Sequence, residues 1–260
     1  MISHLSNGVH YYSFENLDKA GVVSAAFTRT GGVSSVPWAT LNVGGTVGDD
    51  PERVAENRRR AFSAVNRPLS SMFDVWQVHS SDVVVTDRPR PANEAHQKAD
   101  IILTRSPDVT LFMRFADCVP ILLFDPIHKA IGLAHSGWLG TVNQVGRSAI
   151  AAMQSQFGTN PADLIACIGP SICADHYPVG SDVADKAGQA FEQKIDQVLI
   201  ERGGQTHFDL WKANQIVLEE SGVTNIEIAG ICTACHSDEW FSHRGERGKT
   251  GRFGVLFGMK

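Results

Sequence analysis

"VPILLFDPIHKAIGLAH", residues 119–135, contains two apolar runs, 119–125 and 130–135, separated by Pro126-Ile127-His128-Lys129. Runs of six or seven residues have the length of buried strands rather than of helices, and the break between them has turn character. The pair therefore reads as a hairpin-like unit inside a core. The second strand continues into "AHSGW", residues 134–138, so that His135 stands where the strand gives way to a turn. A histidine there is either a structural hydrogen-bonder or part of a site.

Working outward, further strands are predicted at 22–28 (VVSAAFT), 83–87 (VVVTD), 109–115 (VTLFMRF), 164–169 (LIACIG), 226–231 (IEIAGI) and 252–258 (RFGVLFG). Helical spacing of apolar residues appears over 50–65, 141–157, 180–191 and 209–222. Asp50-Pro51 has the form of a helix start, with a capping carboxylate followed by proline at the first helical position. Thr141 is expected to cap the helix that follows AHSGW. Hairpin-like strand pairs interrupted by helices suit neither a purely parallel nor a purely antiparallel sheet. The expected class is α/β (α+β) with mixed sheets. With no repeat, low-complexity tract or Pro/Ser-rich linker, residues 1–260 are expected to form a single catalytic domain.

The bulk composition narrows the function. A chain of 260 residues can bury a substantial core, and 43% hydrophobic with 20% charged residues is ordinary for a folded protein. A net charge of −5 argues against a general binder of nucleic acid or of anionic membrane. The N-terminal stretch lacks the charged and apolar regions of a signal peptide, and no apolar run spans a bilayer, so a cytoplasmic protein is expected. In that compartment Cys118, Cys167, Cys173, Cys232 and Cys235 are thiols, ligands or nucleophiles rather than a disulfide framework.

Three strand-like segments each deliver a metal-competent side chain near one end: "WQVHS" with His79, "RFADCVP" with Cys118 and "LAHSGW" with His135. Two imidazoles and a thiolate form a plausible zinc set, because catalytic zinc commonly keeps three protein ligands and one open position. That position can hold a water whose pKa falls to about 7. Asp117, beside Cys118, is placed to orient a ligand or move a proton. The residue types fit equally well a Cys118 nucleophile with His135 as base.

Other stretches carry weaker signals. "CTACH", residues 232–236, matches the C-x-x-C-H pattern of covalent haem attachment, a chemistry of exported proteins. As a zinc set, Cys232, Cys235 and His236 lack a fourth partner, so these thiols are read as buried or incidental. The loop from Thr28 to Pro51 is rich in glycine, serine and threonine and contains Arg29, yet it has neither phosphate-binding fingerprint. Asn57-Arg58-Arg59-Arg60 and the basic loop 242–252 are possible anion contacts.

Several of these blocks, in this order, resemble one bacterial family. They are "TRTGGVS", "LNVGGTVGDDPERVAENR", "QVHSSDV", "ADCVPILLFDP", "AHSGWLGT", "IGPSICADHYPVG", "DLWKANQ" and "FSHRGERGKTGR". The family is known variously as multicopper polyphenol oxidase (laccase), purine nucleoside phosphorylase and peptidoglycan editing factor, and the resemblance runs from about Ala26 to Phe257. It implies a four-layer α-β-β-α sandwich and a zinc site formed by His79, Cys118 and His135. His135 then ends its strand in order to complete a metal site, and Gly137 lets the chain turn beside it.

The resemblance also implies phosphorolysis of adenosine, inosine or guanosine and deamination of adenosine, by a monomer or homodimer acting on small-molecule nucleoside and phosphate. In deamination an activated water attacks C6 of the purine, and Asp117 moves protons. In phosphorolysis phosphate attacks C1′ of the ribose. Arg29, Asn42 and Arg58 are the expected substrate contacts. Copper is less well suited than zinc, because laccases use paired H-x-H motifs and none occurs here. Hydrolytic editing of peptidoglycan precursors and non-catalytic ligand binding are the remaining alternatives.

The chain departs from the family pattern where Leu139 replaces a usual arginine, Ser136 an alanine and Pro178 a glutamate, and where Arg244 is followed by Gly245 rather than by a second arginine. Leucine offers no bidentate donor, so the handling of anions has to fall to other residues.

Overall fold

The computed structural model describes residues 1–260. Along the chain run β1 (Ile2–Ser6), β2 (Val9–Ser13), α1 (Glu15–Lys19), β3 (Val22–Phe27), α2 (Pro51–Ala64), β4 (Met72–Phe73), β5 (Val83–Val85), β6 (Ile101–Thr104), β7 (Thr110–Phe115), β8 (Val119–Asp125) and β9 (Ala130–Ser136). They are followed by α3 (Trp138–Val142), α4 (Val145–Phe157), β10 (Ile165–Ile168), α5 (Ser181–Phe191), α6 (Ile195–Val198), β11 (Leu199–Arg202), β12 (Gln205–Phe208), α7 (Leu210–Glu220), β13 (Asn225–Ile228) and β14 (Phe253–Met259).

Two six-stranded mixed sheets carry the fold, with orders β1-β2-β3-β14-β7-β4 and β13-β10-β8-β9-β6-β5, beside a small β11-β12 hairpin. Period-two alternation sorts each strand's residues onto opposite faces. Leu122, Phe124, Ile131 and Leu133 of the second sheet share one cluster with Leu111, Met113, Phe115, Phe253, Val255 and Phe257 of the first. The opposite face of the second sheet, with Ile121, Leu123 and Ala134, packs on residues of α4 and α7. The opposite face of the first, with Phe27, Phe112 and Leu256, packs on Ala61 and Phe62 of α2. Stacking these three interfaces gives four layers in the order α-β-β-α. Every residue of β8, β9 and β14 is buried, which accounts for their continuous apolar sequences.

α2 begins as its sequence predicts, with the Asp50 side chain accepting from the Glu52 N–H at 2.9 Å and proline in the first turn. The stretch 141–157 is different. It is not one helix: α3 ends at Val142, Gln144 adopts φ +55°, and α4 starts anew. Thr141 lies inside α3, whose N-cap position is Gly137, so it is not a cap. Its hydroxyl instead joins a buried ring with Ser136 (2.9 Å) and the Asn214 amide (3.0 Å) that ties the end of β9 to α7, and Ser136 donates to Asn214 Oδ1 at 2.8 Å. No helix is long and apolar enough to cross a membrane.

Candidate metal centre

The register of three strands brings the ligand set together. β8 pairs with β9 so that Val119 faces Ser136 and Pro120 faces His135, which carries Cys118 opposite Gly137. β6 pairs with β9 so that Ile101 faces Ala134, and the next backbone bond runs from the His135 N–H to the Asp100 carbonyl at 2.8 Å. His79 lies in the segment leading to β5, which pairs with β6. Both imidazoles and the Cys118 thiol place their ligand atoms within 4.8 Å of one another. Zinc ligands at about 2.0–2.3 Å from a common ion are themselves ~3.3–3.8 Å apart, so the set needs only small side-chain adjustments to close on one ion. His79 is exposed and His135 buried, which leaves the His79 side open.

Asp100 organises the group, and the sequence reading missed it. Its Oδ1 accepts from His135 Nδ1 at 2.7 Å, so that the Nε2 of this ring is the nitrogen left to bind an ion. Its Oδ2 accepts from the Val78 N–H at 3.1 Å and the Ser80 N–H at 2.6 Å, the two amides flanking His79. One carboxylate thus holds both histidines and helps to keep His79 at φ +60°, a backbone region costly for a non-glycine residue. Replacing Asp100 with asparagine is expected to weaken metal binding about 10–100-fold. Competition against a chromophoric chelator measures this, and unchanged affinity would remove Asp100 from the site.

Gly137 serves the site through space rather than backbone freedom, since its φ of −75° and ψ of −175° are open to any residue. A Cβ at this position would stand 2.9 Å from Cys118 Sγ and 3.3 Å from His79 Cδ2. Gly137→Ala is therefore expected to lower metal affinity by about tenfold or more while leaving the thermal transition of the apoprotein nearly unmoved. Zinc titration beside a melting curve separates the two effects.

Electrostatics favour a thiolate here. Burial works against ionising Cys118, but the imidazoles of His135 and His79 outweigh it and hold the pKa at about 6. Burial likewise disfavours the charged form of His135, yet Cys118 and Asp100 raise its pKa to about 9. The Tyr177 hydroxyl is pushed up by burial and by Cys118, and the Arg252 guanidinium is pulled down by burial against the opposing influence of Cys118 and Asp117.

The other residues singled out from sequence occupy varied places. Asp117 sits at φ +82°, and its carboxylate accepts from Thr233 Oγ1 (2.7 Å), Ser242 Oγ (2.7 Å) and the Arg244 N–H (2.6 Å). It fixes the turn that presents Cys118. Asn42 is fully buried, with its amide bonded to Gly44, Asp49 and the Arg252 N–H. Arg29 bonds to the carbonyls of Ala39 and Ser237, pairs with Glu246 at 3.2 Å and stacks on Phe241. Arg58 bonds through Nε and Nη2 to the Val43 carbonyl and lines a cleft of about 810 Å³ together with Arg90 and His96. None of the three metal-competent residues lines that cleft. Arg244 stacks on Tyr177 and donates to the Pro178 carbonyl at 3.0 Å.

The sequence and the fold are shared with known proteins. The model of the family described as multi-copper polyphenol oxidoreductase laccase matches residues 23–260. The chain is 35% identical to purine nucleoside phosphorylase YlmD of Bacillus subtilis, over 94% of this chain and 91% of that one. It is 37% identical to a purine nucleoside phosphorylase of Deinococcus radiodurans, over 92% and 89%. Its structure is similar to the crystal structure of YlmD from Geobacillus stearothermophilus, with a TM-score of 0.92, 32% identity and coverage of 99% and 98%.

Proposed function

The chain belongs to the multi-copper polyphenol oxidoreductase laccase family, and from that premise we propose that it is a zinc-dependent purine nucleoside enzyme, cleaving adenosine, inosine or guanosine with phosphate and deaminating adenosine. The observation that carries this reading is the three-donor set of His79, Cys118 and His135, open on one side and backed by Asp100. A zinc ion held there would supply a Lewis acid.

The residues around the centre divide the remaining work. Asp100 fixes the His135 tautomer and the His79 loop. Asp117, with its carboxylate already accepting from three donors, positions Cys118 and the segment from Thr233 to Arg244. Arg29 and Asn42 support the neighbouring loops through the bonds given above. Arg58 is our candidate for phosphate: it lines a cleft with Arg90, His96 and the Glu94 carboxylate, apart from the three metal-competent residues. In phosphorolysis a phosphate oxygen bonds to C1′ as the N-glycosidic bond breaks, and the base leaves with the bonding pair and takes up a proton. In deamination water adds at C6 and ammonia departs.

The copper in the family's description finds less support in the donors. Multicopper centres need many imidazoles, whereas the second Cys/His cluster of this chain contains a single one. The proposal is tested by chromatography of zinc-loaded protein with adenosine, with and without phosphate. Phosphate-dependent adenine is the expected product of phosphorolysis, and phosphate-independent inosine that of deamination. No turnover of adenosine, inosine or guanosine would overturn the purine reading.

A further inference from the structure

We propose that Cys173, His176, Cys232 and Cys235 form a second metal site, a closed Cys3His set for a structural zinc ion. The chain supplies it as two short-spaced pairs, C-x-x-H at 173–176 and C-x-x-C at 232–235, which is the ligand spacing of structural zinc sites. Along the chain, Cys232, Cys235 and His236 of CTACH have no fourth ligand beside them. In the fold His236 is not a member of the cluster, and the missing pair comes from the segment after β10.

Backbone bonds join the two segments. The Ser171 N–H donates to the Ile231 carbonyl at 3.1 Å, and the Thr233 N–H donates to the Ser171 carbonyl at 3.2 Å. His207 Nδ1 donates to the Ala174 carbonyl at 2.6 Å and anchors the turn that carries His176.

The spacing suits a tetrahedral ion. His176 Nδ1 lies 3.4 Å from Cys235 Sγ, 3.5 Å from Cys173 Sγ and 3.9 Å from Cys232 Sγ, and all four donors fall within 4.8 Å of one another. Ligands of a tetrahedral zinc, at about 2.3 Å for sulfur and 2.0–2.1 Å for nitrogen, stand ~3.5–3.8 Å apart. The buried Cys232 sulfur also accepts from the Cys173 N–H (3.3 Å) and the Cys235 N–H (3.4 Å), the outer bonds that favour a thiolate ligand. None of the cysteines is in a disulfide.

Four protein donors close this site, where the first set has three, so its role is structural. Its neighbours show what it braces. Ile172, next to Cys173, donates its N–H to the Asp117 carbonyl at 3.0 Å, and Thr233, next to Cys232, donates to the Asp117 carboxylate. The ion thus staples the two segments that grip the turn presenting Cys118.

The test reads metal rather than activity and so is independent of the purine reading. Protein purified anaerobically with Cys118→Ala, which empties the first site, is expected to retain about one zinc per chain by elemental analysis. Adding His176→Asn or Cys235→Ser, both at exposed positions, should bring that to near zero and lower the melting temperature by several degrees. Cobalt-loaded Cys118→Ala should show the visible bands of tetrahedral thiolate coordination, with the charge-transfer intensity reduced by Cys235→Ser. In the intact protein, a thiol-blocking reagent should release the ion into a colorimetric chelator. The proposal is overturned if Cys118→Ala protein carries no zinc, if Cys235→Ser and His176→Asn leave its zinc content unchanged, or if mass spectrometry finds a disulfide among Cys173, Cys232 and Cys235 instead.

Discussion

Cys118→Ala is expected to reduce kcat/KM for nucleoside turnover by at least about a thousandfold, equivalent to ~4 kcal/mol of transition-state stabilisation. The substitution removes the only sulfur ligand of the His79–Cys118–His135 set and leaves two imidazoles, too few to hold an ion against water. Little else should change. Asp100 still grips His135 and the His79 loop, and the Asp117 turn keeps its three donors, so the apoprotein should melt close to wild type. Steady-state kinetics, metal content and a melting curve on the same preparation make the case together. Wild-type turnover by the variant would sink the metal-centred mechanism.

Asp74→Ala is expected to cost about 3–5 kcal/mol of stability at neutral pH, the largest structural effect we foresee for a single side chain. Asp74 is wholly buried and receives Arg90 at 2.8 Å, Arg114 at 2.8 Å and His96 at 3.0 Å. Arg90 and Arg114 are themselves mostly buried, so truncating the carboxylate strands two guanidinium groups with little water to replace it.

The pH dependence has a definite sign. Burial raises the pKa of Asp74, but Arg114, His96 and Arg90 together overcome it and set the folded value below the ordinary one. A depressed folded pKa gives stability that is present above the unfolded carboxylate pKa, about 3.9, and lost as the pH falls through the folded value. The gap between wild type and Asp74→Ala in denaturant midpoint should therefore be widest near neutrality and narrow below about pH 4. A gap independent of pH would show that packing, not the ion cluster, is what Asp74 contributes.

Much of the fold was legible along the chain, because a strand buried on both faces must be apolar throughout. That is why 119–125 and 130–135 could be read as strands and why the structure places them at the centre of a sheet. The start of α2 was legible because a capping carboxylate followed by proline is a local signal. The β1–β2 hairpin is signalled locally by its Asn7-Gly8 turn, both residues at positive φ. The break at Gln144 was not available, since glutamine carries no sign of a left-handed backbone.

For the sites, sequence determined the ligand types, while tertiary structure decided which of them meet. His79, Cys118 and His135 carry strand-end signatures that a resemblance to a known family could connect. Asp100, 35 residues from its partner His135, carries none, because its role depends on the β6–β9 register. The same holds for the two cysteine-containing pairs: C-x-x-C and C-x-x-H are local spacings, but the backbone bridge that apposes them joins Ser171 to Cys232 across the fold. Side-chain chemistry is a property of each residue and is written in order. The few ångströms that turn donors into a coordination sphere are set by strand register and by which backbone amides find partners, and only the packed chain fixes those.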